Sequence, residues 1–246
     1  MKKIKKSSEL LWLLGITLVA LGVAICSNAD LGVSMIAAPA FIVHEALSRL
    51  WSSLSVGVVE YLIQGALLLL LCVVVRKFNW RYLLAFAVAV LYGYMLNLFI
   101  FLLGGLQPDT TFVRWLLLIL GDMITALGVA CFFCTYMPLQ VFELFVAEVS
   151  EHFHIDIHRV KLFFDLSLLL LSVILALTLF GDVLTFNWTT IGHAAFHSIG
   201  LGTLITTLIN APLIRLASKW IARIFDPSPL FPSLKAFLKR NNETNQ

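Results

Sequence analysis

Hydrophobic positions in this chain fall in long blocks. They do not alternate as in a half-buried strand or form the one-sided stripe of a surface helix. Six blocks are long and apolar enough to cross about 30 Å of hydrocarbon, which takes about 20 residues. They lie at roughly 9–29, 56–76, 80–104, 112–135, 159–181 and 188–209. Two further pieces, about 33–50 and 139–153, are apolar only in their first halves and end polar, in HEALSR and AEVSEHFH. Their length suits a re-entrant or interfacial segment better than a span. The first follows a span abruptly: in LGVAICSNADLGVSMIAAPAF (21–41), Asn28, Asp30, Gly32 and Ser34 interrupt an apolar run that resumes at once. The second follows a similar interruption, TYMPLQ (135–140).

Composition turns these blocks into membrane spans. The chain has 246 residues, of which 60% are hydrophobic and 13% charged. A soluble domain cannot bury that much apolar surface, so the bilayer is the expected solvent and partner. The basic start MKKIKK resembles that of a signal peptide. The apolar run behind it exceeds a signal core and lacks a small-x-small site, so it is read as the first span. Cys26, Cys72, Cys131 and Cys134 all have apolar neighbours and read as small buried hydrophobes, the CxxC at 131–134 included.

The net charge of +3 does not point to nucleic acid; its distribution sets the topology. If both short pieces return to the side they left, most basic residues share one side. These are Lys2, Lys3, Lys5, Lys6, Arg76, Lys77, Arg81, Arg159, Lys161, Arg215, Lys219, Arg223, Lys235, Lys239 and Arg240. Only Arg49 and Arg114 then lie opposite. If 33–50 crossed fully, Arg76, Lys77 and Arg81 would change sides. The expectation is a multi-pass protein of a bacterial cytoplasmic membrane with both termini cytoplasmic. After Pro212, LIRLASKWIARIF spaces Arg215, Lys219 and Arg223 four apart, as in an amphipathic helix drawn to anionic lipid on the cytoplasmic leaflet.

The halves repeat. Residues 14–24, LGITLVALGVA, return as LGDMITALGVA at 120–130, an offset of 106, and Gly32 and Pro138 align at the same offset. FNW at 78–80 returns at 186–188. With three spans per half, the second half enters the membrane from the opposite side, the inverted-repeat plan of many transporters. The expected fold is all-α and integral to the membrane: six transmembrane helices form two inverted three-helix repeats, each with a short broken, re-entrant helix after its first span. The expected division is 1–105, 106–211, and 212–246 for the cytoplasmic amphipathic helix and tail.

Four stretches carry a resemblance: ALGVAICSNADLGVSMIAAPAF, FNWRYLLAFAVAVLYGYMLNLF, PLQVFELFVAEVSEHFHIDIHRVKLFFDL and GTLITTLINAPL. Through them the chain resembles the YitT/YczE-like group of bacterial multi-pass membrane proteins, in a Firmicutes-type branch of uncharacterised members. The group's Leu-Gly-x-Ser stands here as Leu31-Gly32-Val33-Ser34, and its basic–acid pair four apart as Lys161 and Asp165. Where other branches have Pro-Trp-Asp, this chain has Met35-Ile36-Ala37. The resemblance implies the fold and no settled activity.

Acids in hydrocarbon are costly, so each one within the apolar blocks is a candidate. Asp30 and Ser34 at the first break and Gln140 and Glu143 at the second are expected to face a shared centre. Asp30 and Glu143 also suit helix caps. Glu60 and Gln64 share a helix face, as do Lys161 and Asp165, and aligning the two stretches sets Glu60 opposite Lys161 and Gln64 opposite Asp165. Lys161 and Asp165 read equally as a structural pair along one helix. Tyr92, Gly93 and Asn97 point polar groups toward the same centre. Asp122 has no polar counterpart in the first half. His193 and His197, four apart, lack the third ligand a metal needs and read first as helix packing; His152, His154 and His158 read as loop residues.

There is no nucleophile triad, phosphate loop or full metal set, so neither an enzyme nor a cofactor is expected. The leading expectation is a transporter of a small polar solute, with half-helix N-termini favouring an anionic group. The alternative is a non-transport membrane factor that binds or stabilises another protein. Association into a homo-oligomer is compatible with either. Cysteines introduced at Gln107 and Asp182 should react with an impermeant thiol reagent outside the cell, and those at Lys77 and His154 should not. Outside labelling at Lys77 would mean that 33–50 crosses the membrane.

Overall fold

The structure is a computed structural model that describes residues 4–229 except 49, 52, 107 and 181–197. Helices dominate it. In chain order they are α1 (Ser8–Asn28), α2 (Ala38–Ser48), α3 (Val56–Val75), α4 (Trp80–Leu103), α5 (Thr111–Phe133), α6 (Val141–Phe153), α7 (Ile157–Phe180) and α8 (Leu201–Ile224). All but α2 and α6 are long and apolar enough to span a membrane, six helices among the described residues. They match the expected spans within about two residues, except at α8. Local chemistry sets several boundaries: the side chains of Ser55, Asn79 and Thr110 accept from the backbone N–H groups of Val58, Arg81 and Val113, at the starts of α3, α4 and α5. Arg76 turns left-handed (φ 54°) to end α3 and begin the tight link to α4.

The long helices pack as a row in the order α3, α4, α1, α5, α8, α7. The short helices α2 and α6 each pack on both α3 and α7, and so close the row. At its centre α1 and α5 run antiparallel. A Cβ on Gly15 would stand 3.0 Å from the carbonyl oxygen of Gly128, and one on Gly22 would stand 2.5 Å from that of Gly121. These are the four glycines of the repeated LG…LGVA stretches. Small residues at the crossing let the backbones approach directly, which hydrocarbon, giving no hydrophobic drive between helices, otherwise would not reward.

Leu11 near the start of α1 packs with Cys131 and Ile221 at the ends of α5 and α8. His158 and Arg159 at the start of α7 line a cavity with Arg215 and Lys219 late in α8. So α5 ends and α7 begins at one end of the bundle, with α6 between them. The backbones of 4–7 and 225–228 pair in parallel at that end, β1 (Ile4–Ser7) with β2 (Phe225–Ser228). At the other end Arg114, near the start of α5, pairs with Asp30 after α1, and Val33, Ala38 and Ile42 pack with Ala176 of α7.

The break after α1 is answered by α8. Asp30 and Gly32 both take positive φ, 52° and 101°. The freed backbone groups then pair with the segment entering α8. Val33 N–H donates to Ser198 O at 2.9 Å, Gly202 N–H to Leu31 O at 2.9 Å, and Thr203 Oγ1 to Val33 O at 2.8 Å. At the second break Trp12 Nε1 donates to Pro138 O at 2.8 Å and pins the loop to α1.

Two expectations change. The sixth long helix is Leu201–Ile224, not 188–209; residues 188–197, with the second FNW at 186–188, lie outside the described residues. The separate amphipathic helix after Pro212 does not form, and α8 runs across the expected boundary at 211 with Pro212 inside it. Ala211, Ile214 and Ile221 stay buried through this stretch. Continued packing offsets the one hydrogen bond that proline removes, as membrane helices allow.

Replacing Gly22 by Leu should destabilise the protein by about 1–3 kcal/mol through overpacking, read as a lower thermal midpoint in detergent. Gly105→Leu, at a glycine with nothing within 4 Å of its would-be Cβ, should not. Thr203→Val removes the bond to Val33 O and should cost about 1–3 kcal/mol, because it leaves a buried carbonyl unpaired.

Candidate functional site

Four helices bring polar side chains to one buried region. Glu60 and Gln64 come from α3, Glu143 from the first turn of α6, Lys161 and Asp165 from α7, and Asp122 from α5; none is more than 4% exposed. Spacing of four along a helix explains the two local pairs. Gln64 Nε2 donates to Glu60 Oε1 at 3.4 Å, and Lys161 Nζ stands 3.0 Å from Asp165 Oδ1. Glu143 links the walls: it interacts electrostatically with Glu60 on one side and with Lys161 and Asp165 on the other. Asp165 in turn interacts with Asp122.

Glu143 is placed there by its helix. α6 begins directly after the second break, and its N-cap, Gln140, is buried but makes no side-chain capping bond. Glu143 is the acid of its first turn. A helix N-terminus favours an acid at this point, and the same end aims it into the cluster. The cap role and the cluster role therefore coincide in one carboxylate.

The region is under-satisfied. Glu60 Oε2, Gln64 Oε1, Glu143 Oε2 and Asp122 Oδ1 make no hydrogen bond among the described residues. Four carboxyl groups face one ammonium. An uncompensated charge in a low-dielectric interior costs several kcal/mol, so the excess acid must be offset by protons or by a bound cationic group.

The remaining expected site residues lie elsewhere. Asp30 does not face the centre. Its side chain is 53% exposed and its Oδ2 receives Arg114 Nη1 at 2.7 Å, at the bundle end where α5 starts. The left-handed backbone at Asp30 turns the side chain outward, toward a cation supplied by another helix. Asn97 is committed too: it accepts from Gly57 N–H and donates to Ser55 Oγ, both at 2.9 Å, and so ties α4 to the first turn of α3. Ser34 is buried at the first break, where its Oγ meets Met35 Sδ and its carbonyl accepts from Ala37 and Ala38. His193 and His197 lie outside the described residues. Among the described residues no group of three potential metal ligands forms, and Cys131 and Cys134 are free thiols.

Three further polar residues bear on the region; Tyr92 is among those expected at the centre, and Asp122 and Asn210 are not. Asp122 belongs to the cluster; the signal was an acid midway along a span, discounted because its repeat counterpart is Ile16. Tyr92 of α4 is buried and interacts with Glu60 and Glu143. Asn210 of α8 is fully buried, and neither of its amide atoms makes a hydrogen bond among the described residues; an isolated Asn in an apolar run carried no distinguishing pattern.

No curated protein and no solved structure matches this chain. A family model does, over residues 6–219, a stretch that contains the eight helices of the described residues up to the last turn of α8 and the whole polar cluster. The chain belongs to that family, DUF6198, a family of unknown function.

Proposed function

We propose that the protein is a membrane transporter of a small polar solute, with its site at the interface of two inverted repeats. The observation that carries this reading is the buried cluster of Glu60, Gln64, Asp122, Glu143, Lys161 and Asp165. Ionisable groups within spans are expensive, and their usual use is a substrate or proton path. The alternative, a structural ion pair alone, accounts for Lys161 and Asp165 but leaves three further acids without a purpose.

The repeat reading has support of its own. Exchanging α1–α4 for α5–α8 turns the packing order α3, α4, α1, α5, α8, α7 into the same row read backwards. The self-paired step is the antiparallel α1–α5 crossing, where Gly15 meets Gly128 and Gly22 meets Gly121, positions that the offset of 106 interchanges. The short helices α2 and α6 then act as equivalent re-entrant elements. The resemblance to YitT/YczE-like proteins agrees with this plan and carries no activity with it.

Orientation follows from charge. The bundle end that gathers Arg81, Arg159, Arg215, Lys219 and both terminal segments is cytoplasmic under the positive-inside rule, in a bacterial cell membrane. An anionic solute would be met by Lys161 and the N-terminus of α6. It would enter with protons, because the acids around that lysine would otherwise repel it.

In proteoliposomes of the purified protein, small organic anions, zwitterions and cations should be tested with and without an inward proton gradient. Flux of one class is expected, increased by the gradient. Glu143→Gln should cut it by roughly tenfold or more while the thermal midpoint changes little; Asp165→Asn should cut it as well and lower the midpoint, because Lys161 loses its partner. Asp30→Asn should leave flux in place and cost no more than about 0.2–1 kcal/mol, as for an exposed ion pair. Absence of flux across the whole panel would favour the non-transport membrane factor.

A further inference from the structure

A second polar region lies apart from the buried cluster, at the basic end of the bundle. The start of α7 and the stretch of α8 from Leu208 to Lys219 border an open cavity of about 690 Å³. Its polar wall holds His158 and Arg159 from α7 with Arg215 and Lys219 from α8. The lone acid on the wall, Asp156, is already engaged, since its Oδ1 accepts from the backbone N–H groups of His158 at 3.0 Å and Arg159 at 3.2 Å. None of the three cations forms an ion pair with a described residue. Three positive side chains thus line the cavity from two helices against one acid, an excess of positive charge among the described residues.

Position along the helix decides which anion can meet these cations. Arg215 stands nine residues before the end of α8, about 14 Å along the axis by helical rise. From there a long basic side chain can reach the headgroup level, where anionic lipid attracts it. The other wall of the cavity is apolar: Leu162 from α7 and Leu208 and Leu216 from α8. Leu208 and Leu216 are 62% and 67% exposed on the membrane-facing surface of the helix. The cavity therefore opens toward lipid on an apolar side and ends in cationic groups at the level of the headgroups. A soluble phosphate would use the cations and leave the leucines idle, whereas a lipid uses both.

We propose that this cavity binds an anionic phospholipid, its phosphate held by Arg159, Arg215 and Lys219 and an acyl chain laid along Leu162, Leu208 and Leu216. The assignment is independent of the transport reading. It places a lipid at the seam between α7 and α8, where Pro212 removes a backbone donor from α8.

The full-length protein in a neutral detergent should be titrated with phosphatidylglycerol, with phosphatidylcholine and with inorganic phosphate alone, reading the thermal midpoint and lipid retention by native mass spectrometry. Phosphatidylglycerol should stabilise and be retained; the other two should not. Arg215→Gln with Lys219→Gln should weaken phosphatidylglycerol binding by about thirtyfold, from the usual contribution of two basic residues at an anionic lipid surface. Arg76→Gln with Lys77→Gln, basic residues between α3 and α4, should not weaken it. Arg159→Gln gives the same test from the opposite wall should the α8 double variant fail to fold. Equal stabilisation by inorganic phosphate would overturn the lipid assignment in favour of a soluble anion. Undiminished lipid binding in both the double variant and Arg159→Gln would overturn the site itself.

Discussion

A backbone group freed from its helix inside a bilayer finds no water, so it must be paired by protein or the break cannot exist. The structure depends on how it meets that constraint after α1. The chain leaves the helix at Asn28, turns through left-handed Asp30 and Gly32, and lays Leu31 and Val33 against the entry to α8, whose own first N–H groups need acceptors. Each unpaired segment satisfies the other. The contact is close enough that Gly32 and Gly200 have no room for side chains. It joins the first quarter of the chain to its last long helix and so helps position α8 beside α5.

Close approach by small residues recurs at the α1–α5 crossing, and the two devices have different jobs. Paired glycines at the crossing make a rigid antiparallel centre, on which α4 and α8 pack from either side. The breaks, by contrast, produce short helices that start among buried residues and run to exposed ends. Because α6 starts within the bundle, its N-terminus can present Glu143 to residues of α3 and α7. A continuous seventh span would have carried that acid past them. Irregular backbone and buried charge are thus linked: the first creates the position that the second occupies.

The two charged regions obey opposite balances. In the interior, four acids meet Lys161 alone, and the deficit is one of positive charge. Between α7 and α8, three cations meet Asp156 alone, and the excess is positive. The interior is sealed, so protons or a small solute are the available compensation. The α7–α8 cavity opens toward apolar surface, so an amphiphile can reach it.

Much of the fold was legible in the sequence because hydrocarbon thickness translates directly into block length. Five of the six spans, both short helices and both breaks follow from apolar runs and their polar interruptions, since each span is decided by its own residues. The local pairs Glu60–Gln64 and Lys161–Asp165 were legible for the same reason: helical periodicity alone places residues four apart together. What the tertiary structure decided was which groups meet across helices. Asp30 looks in sequence like an acid stranded in hydrocarbon, yet Arg114, 84 residues away, draws it to the surface. Asn97 looks like a site residue, yet it is spent on Gly57 and Ser55. Asp122 looks dispensable by repeat symmetry, yet α5 sets it beside Asp165. Pro212 looks like a helix end, yet packing carries α8 through it. In each case the one-dimensional pattern gives the cost of burying a group, and only the fold supplies the partner that determines whether that cost is met.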